Sequence, residues 1–395
     1  MPDRQGAALS AVDLTRELVR IPSENPTGTE ADIAAWVRDW LAGLPGVTVK
    51  LIEVKPGRPN VIARLAGSSD EPPLAFVAHM DTVPFGSGWQ RNPCGADIVD
   101  GKLFGRGACD MKSGLAVAMI ALAQAAGVGH APRRTVMLCA TMDEEGPLMM
   151  GVNNLVDTGV LDANTLVLAT EPSDLKVVVA HKGLVWIEVE AHGKLAHAGN
   201  PQVGVDAIRA AAEFIVEMKR AVDMLPHRHP LLGRTEITFS GISGGIKTNV
   251  VPDHARLEMD IRVPPPMTIE DVHSLVSLSC RTAQTRVPGC RLAFRQINNN
   301  RPPVEADAEG AFTRALLESA SEVIGARAET AVFPAYTDAS VVQARTANRN
   351  CLVFGPGSLA QAHTVDEFVP IKQVELAASI LGNLVQRVCF KDSQG

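Results

Sequence analysis

Short apolar runs alternate with longer stretches of helical periodicity through the first part of the chain. Residues 14–20 and 29–42 read as helices, the second opening at Thr29 as N-cap with Asp32 in its first turn. Residues 60–65 and 74–78 read as strands, 111–126 as a helix, 135–141 as a strand, 152–158 as a helix and 165–170 as a strand. Uninterrupted apolar strands alternating with helices predict an α/β domain, with a mostly parallel sheet covered by helices on both faces.

The pattern then changes. Residues 184–191 alternate apolar and polar as a half-buried strand does, and 205–224 form a long amphipathic helix. Strands over 235–242 and 255–263, a helix over 269–286 and a strand over 291–297 follow. That order, βαββαβ, predicts a compact two-layer α+β unit. Residues 298–303 read as its exit, after which the first style returns: a helix over 311–324, a short buried strand over 351–354 and a closing helix over 371–388. The expected organisation is one discontinuous domain, residues 1–181 and 299–395, interrupted by an inserted domain at 182–298.

A chain of 395 residues exceeds the size at which single cores stop growing, roughly 250–300 residues, which agrees with more than one domain. The formal net charge of −7 comes from intermixed acids and bases, with no basic arm, so nucleic acid is not expected as a partner. Residues 1–23 are charged throughout and lack the apolar run of a signal peptide. The longest apolar stretch, 115–126, is interrupted by Gln124 and is shorter than the ~20 residues a bilayer requires. Seven cysteines without a C-x-x-C pair suit a reducing compartment, and the cytoplasm is the expectation. Cys109 is expected to be a small buried apolar residue.

Candidate chemistry lies just beyond the apolar strands. The run 74–78 leads into His79-Met80-Asp81, 135–141 into Asp143-Glu144-Glu145, 165–170 into Glu171-Pro172, and 351–354 into a Gly-Pro-Gly loop and His363. Asp110 follows the glycine-rich turn Gly105-Arg106-Gly107 that opens a helix. Ligands of open α/β sheets bind beyond the carboxyl ends of the strands, so five segments can converge on one crevice. Two histidines and several carboxylates without a thiolate suit zinc or a similar divalent ion. Converging carboxylates repel one another without cations, and one carboxylate can bridge two ions about 3.5–4 Å apart.

Other motifs fail on context. Residues 241–245 fit G-x-S-x-G, but a nucleophile elbow requires a helix next, and 246–251 with Pro252 are not helical. Gly105-x-Gly107 resembles a dinucleotide fingerprint, yet Asp110 occupies the third glycine position and would repel a pyrophosphate.

The set Ala78 to Pro84, Gly105-Arg106-Gly107 with Asp110 to Gly114, Asp143 to Gly146, Glu171-Pro172-Ser173, Gly193 to Pro201, Asn249 to Asp253, Asp260-Ile261-Arg262, Thr337-Asp338-Ala339 and Ala362 to Glu367 resembles the dinuclear zinc peptidase and deacylase family of aminoacylase, carboxypeptidase G, acetylornithine deacetylase and succinyl-diaminopimelate desuccinylase. The resemblance covers nearly the whole chain. It implies a zinc-peptidase-like catalytic domain with an inserted lid that also forms a homodimer.

It further implies two divalent metal ions, zinc first, with cobalt or manganese as alternatives. His79, Asp110 and Glu171 would hold one, and Asp110, Glu145 and His363 the other. Asp81 would fix the tautomer of His79. Glu144 would be the general base. His197 would stabilise the oxyanion in the site of a partner subunit. Asn249 and Arg262 would hold substrate, Arg262 as a bidentate carboxylate clamp. The run from Gly355 to His363 looks most like acetylornithine deacetylases, whereas Tyr336 stands where relatives carry a small residue and would narrow the pocket.

The implied substrate is a small N-acylated amino acid. A desuccinylase, a dipeptidase or carboxypeptidase, or a non-catalytic binding protein of the same fold are the alternatives. Each feature alone has a plain structural explanation. Glu144-Glu145 suits an acidic helix start, and Glu171-Pro172 a strand-ending turn. Arg262 suits a surface strand end and His197 a satisfied loop histidine. His130, His227, His229 and His273 suit solvated or capping positions, and His181 with Lys182 a hinge. Their joint occurrence, in this order, favours chemistry.

Overall fold

A computed structural model of the protein describes residues 9–390; residues 1–8 of the charged N-terminal stretch and residues 391–395 lie outside the described residues. The chain divides into two compact units. One comprises the chain up to Val179, Ala306–Ala331 and the chain from Thr337 on; the other comprises Ala180–Glu305 with Val332–Tyr336.

The first unit is built on a mixed sheet. Its four central strands, Val136–Thr141, Leu74–His79, Leu166–Ala169 and Cys351–Val353, are parallel neighbours in that order. Arg58–Leu65 and Val47–Lys55 extend one side antiparallel, and Val177–His181 runs antiparallel on the other. Parallel pairing is thus confined to the centre. The central strands carry apolar residues on both faces because both faces are covered. Leu74, Phe76 and Ala78 join a core with the helices Ala11–Val19, Ala31–Ala42, Lys112–Ala126 and Ile371–Val385. Helix Asp338–Thr346 packs against the sheet as well, and against helix Met150–Asp157. Lys112–Ala126 is buried nearly all round, which explains its lack of a polar face.

One expected cap differs. The helix over 31–42 begins at Ala31 with Glu30, not Thr29, as N-cap, and the Glu30 carboxylate is bound to Arg58 instead of to the helix end.

The second unit is a four-stranded antiparallel sheet in the order Glu236–Gly244, His254–Val263, Gly183–His192, Arg291–Gln296. Helices Ala207–Asp223 and Ile269–Arg286 pack on one face, around Val185, Ile187, Val189, Phe214, Leu257 and Val276. Thr268 and Asp271 form a capping box at the start of the second helix. Ser243 lies inside a strand rather than on a strand-to-helix turn, as the rejection of a nucleophile elbow requires. Among the described residues, no helix is long and apolar enough to cross a membrane.

Candidate metal centre

The parallel strands all point their carboxyl ends one way, and the candidate ligands follow from those ends. His79 closes its strand, and Asp143 to Glu145 follow Thr141. Glu171 lies two residues beyond Ala169, and His363 follows the loop after Val353. Asp110 precedes helix Lys112–Ala126. That helix approaches the Glu171 strand end so closely that a Cβ on Gly114 would sit 1.9 Å from the Thr170 carbonyl oxygen, so only glycine fits there.

The carboxylate of Asp110 is shared between two histidines. Its Oδ1 lies 3.1 Å from His79 Nε2 and its Oδ2 lies 3.3 Å from His363 Nε2. His363 Nε2 is also 3.0 Å from Glu145 Oε1, and His79 Nε2 is 3.9 Å from Glu171 Oε2. One donor atom from each of His79, Asp110 and Glu171 falls within 4.8 Å of the others, and the same holds for Asp110, Glu145 and His363. Two trios therefore meet at Asp110.

The electrostatics shows what this crowding demands. Burial drives the Glu171 and Glu144 carboxyls well above the usual range, against the attraction of His79. Burial alone would lower the His79 imidazole, but the charge of Glu171 and the hydrogen bond to Asp110 hold it well above its ordinary value. Hydrogen bonds with Asp110 and then Glu145 push His363 up to about 11. Asp110 is held well below the carboxylate range, because the two histidines outweigh its burial. Divalent cations would balance the acids that meet here. The donor set of imidazole and carboxylate fits two divalent ions such as zinc.

Asp81 meets His79 through its main chain. His79 Nδ1 donates to the Asp81 backbone carbonyl at 2.9 Å, and the Asp81 carboxylate lies farther away, at 3.7 Å. The carboxylate instead accepts the backbone N–H groups of Glu144 and Glu145, each at 3.1 Å, and the Asn25 amide at 2.8 Å. The Asp81 main chain thus meets His79, and the Asp81 side chain holds the Glu144-Glu145 turn. Burial pushes the Asp81 carboxyl up to about 7.

Two supports were not anticipated. Arg58 bridges the buried Glu30, at 2.5 Å, and the buried Asp143, at 3.1 Å. Asp143 also accepts from Asn25 and from the Met150 N–H, so it anchors the turn bearing Glu144. In the second support, Glu367 accepts the N–H groups of Cys109 and Asp110 at 2.8 and 3.0 Å and pairs with Arg106 at 2.7 Å. It ties the Asp110 turn to the His363 loop. Both supports join residues far apart in the chain, and the available signal was only that Asp143, Arg106 and Glu367 stand inside matching motifs. Thr141 Oγ1 also donates to Asp338, another buried acid, at 2.6 Å. Cys109 is fully buried, and burial raises its thiol.

The remaining predicted residues belong to the second unit. His197 is exposed on a two-residue strand, Ala196–His197, paired with Val250–Val251. Its Nδ1 accepts the Gly199 N–H at 3.0 Å, which leaves the proton on Nε2 and makes that edge a donor. Asn249 is brought beside it, its carbonyl accepting the Ala198 N–H at 3.0 Å. Arg262 already holds a carboxylate in a fork, Asp260 on its own strand, at 2.7 and 3.0 Å. Tyr336 is buried, its ring centroid 5.9 Å from the Arg301 guanidinium carbon.

Similarity to known proteins agrees with this construction. The chain is 27% identical over 394 residues to an acetylornithine deacetylase of Proteus mirabilis, covering 96% of this chain and 97% of that one. It is 29% identical over 385 residues to a probable succinyl-diaminopimelate desuccinylase of Staphylococcus epidermidis, covering 91% and 92%. In fold it resembles an M20 family metallo-carboxypeptidase of Sulfolobus solfataricus, with a TM-score of 0.78 at 19% identity over 96% of this chain and 99% of that one. Residues 75–387 match Peptidase family M20/M25/M40. With the converging acids and histidines in place, the chain belongs to that family, whose members are metallohydrolases acting on amide bonds.

Proposed function

We propose that the protein removes the acyl group, acetyl first, from a small N-acylated amino acid, with two divalent ions held by His79, Asp110, Glu145, Glu171 and His363. The carrying observation is that the two oxygens of Asp110 each face a different histidine, at 3.1 and 3.3 Å, as a bridging carboxylate must. Zinc is the first choice of ion, with cobalt or manganese as alternatives. Bound ions of this kind polarise an amide carbonyl and acidify water.

The chain's own residues supply the rest. Glu144 takes a proton from the attacking water and returns it to the leaving amine. Its carboxyl, raised by burial, supports a proton-carrying role. Asp81 holds the Glu144 and Glu145 main chain, so the base and its neighbouring ligand stay separate in function. The Nε2–H of His197 is the proposed donor to the oxyanion in the site of a partner subunit. Asn249 and Tyr336 are proposed substrate contacts. Arg262 joins them in this reading, its Nη1 donating at 3.3 Å to the Pro334 carbonyl while Nε and Nη2 hold Asp260, so substrate would have to displace one of these partners.

A homodimer through the second unit is part of this reading. Glu236–Gly244 is an edge strand of that unit's sheet, and Ile242 on it is 62% exposed. An open edge of this kind invites a second copy.

The test is amine release from N-acetylornithine, other N-acetyl and N-succinyl amino acids and dipeptides, with zinc and with chelator. Chelator-sensitive release from the N-acetyl group is the expected result. Release only from succinylated compounds or dipeptides would reassign the substrate, and no release from folded, metal-loaded protein would remove the hydrolase reading.

A further inference from the structure

The sheet of the second unit has one face against its helices and one face of polar residues. Along Gly183–His192, Val185, Ile187, Val189 and Ala191 enter the core, so Glu188, Glu190 and His192 lie on the opposite face. The antiparallel register sets His254 directly opposite His192, and Arg256 opposite Glu190. The Gly193 N–H donates to the Asp253 carbonyl at 2.7 Å. The adjacent His192–His254 pair therefore occupies a non-hydrogen-bonded position, where facing side chains come closest. The two rings have centroids 5.3 Å apart, and His192 Nε2 lies 3.3 Å from Glu190 Oε2.

We propose that Glu190, His192 and His254 form a metal site on the surface of the second unit, sharing no residue with the buried centre. Its ligand is a borderline divalent transition ion, of the zinc, nickel or copper(II) class. Two imidazoles and one carboxylate are a donor set that selects such ions over magnesium or calcium. One donor atom from each of the three residues already lies within 4.8 Å of the other two. Donors around one tetrahedral zinc stand about 3.3 Å apart, given bonds of about 2.0–2.1 Å. Closing that gap takes side-chain rotation only, and the side chains of His192 and Glu190 are 47% and 44% exposed, free to rotate. The strand ladder fixes the backbone positions, so binding orders only the side chains.

The neighbouring charges are compatible with an ion. Arg256 is matched by Glu188 and Glu258, each at 2.5 Å. Arg291 stands opposite His192 on the other neighbouring strand and opposes a dication, so it tunes affinity downward. Three protein ligands leave further positions to water.

The experiment uses the untagged, full-length, metal-loaded protein. Equilibrium dialysis against zinc or nickel, with metal counted by mass spectrometry, compares wild type with the His192→Ala/His254→Ala double variant. The difference between them counts this site alone, whatever the buried centre holds, so the outcome is independent of the proposed hydrolysis. One additional equivalent in the wild type is expected. Each single histidine variant should bind it about tenfold more weakly or worse, with amide hydrolysis unchanged, and Arg291→Glu should tighten it. Equal metal content in wild type and double variant would overturn the site.

Discussion

Two trios of the same residue types sit in opposite surroundings. His79, Asp110 and Glu171 are buried, whereas Glu190 is half-buried and His192 and His254 are exposed. In the first, burial raises the Glu171 carboxyl, and against the pull of burial the charge of Glu171 and the hydrogen bond to Asp110 raise the His79 imidazole. In the second, water solvates each charge whether or not an ion is present. The buried set brings two carboxylates together with one imidazole, so in the proposed reading a bound cation would offset the repulsion of the acids. The exposed set is indifferent, and an ion adds to it without the fold depending on one.

The comparison breaks first at Glu144. Glu144→Gln should lower turnover by about 10²–10⁴-fold with the metal content of the buried centre retained, measured by initial rates beside metal analysis. His363→Ala should lower both. Turnover in Glu144→Gln near that of wild type would remove it as the base.

Next in size is the support beneath the buried trio. Arg58→Met leaves Glu30 and Asp143 buried without their cation, and breaking such a pair costs about 3–5 kcal/mol. Urea unfolding should report that loss. A change under about 1 kcal/mol would put this ion pair in the class of exposed ones.

Acid sensitivity gives a third test. His181 is buried, and burial lowers its imidazole to about 3. The unfolded chain, titrating near 6.5, takes up the proton first. The stability contributed by neutral His181 is therefore complete above about pH 6.5 and falls by up to about 1.4 kcal/mol per pH unit as pH drops toward 3. His181→Gln should flatten that part of the acid limb in urea titrations at stepped pH. An unchanged slope would mean that other groups set it.

The smallest effect belongs to the exposed trio. His192→Ala and His254→Ala without added metal should change stability by less than about 0.5 kcal/mol, as surface substitutions do. A larger loss would show that the sheet uses these rings structurally.

The sequence by itself determined which segments become buried strands and which residues follow them. Runs such as 74–78 and 136–140 are apolar at every position, so they had to be covered on both faces, and His79 and Glu144-Glu145 had to emerge at their ends. The βαββαβ order of the second unit was legible for the same reason, since its strands alternate and its helices are amphipathic. The strand Val47–Lys55 was not, because it lies at the sheet's margin and buries little. Only the tertiary structure decided how the acids are held. The Arg58–Glu30–Asp143 cluster and the reach of Glu367 to the Asp110 turn join residues through space. No local spacing encodes such contacts. Nor does periodicity reveal that His254 faces His192, because register is a property of two strands together and not of either alone.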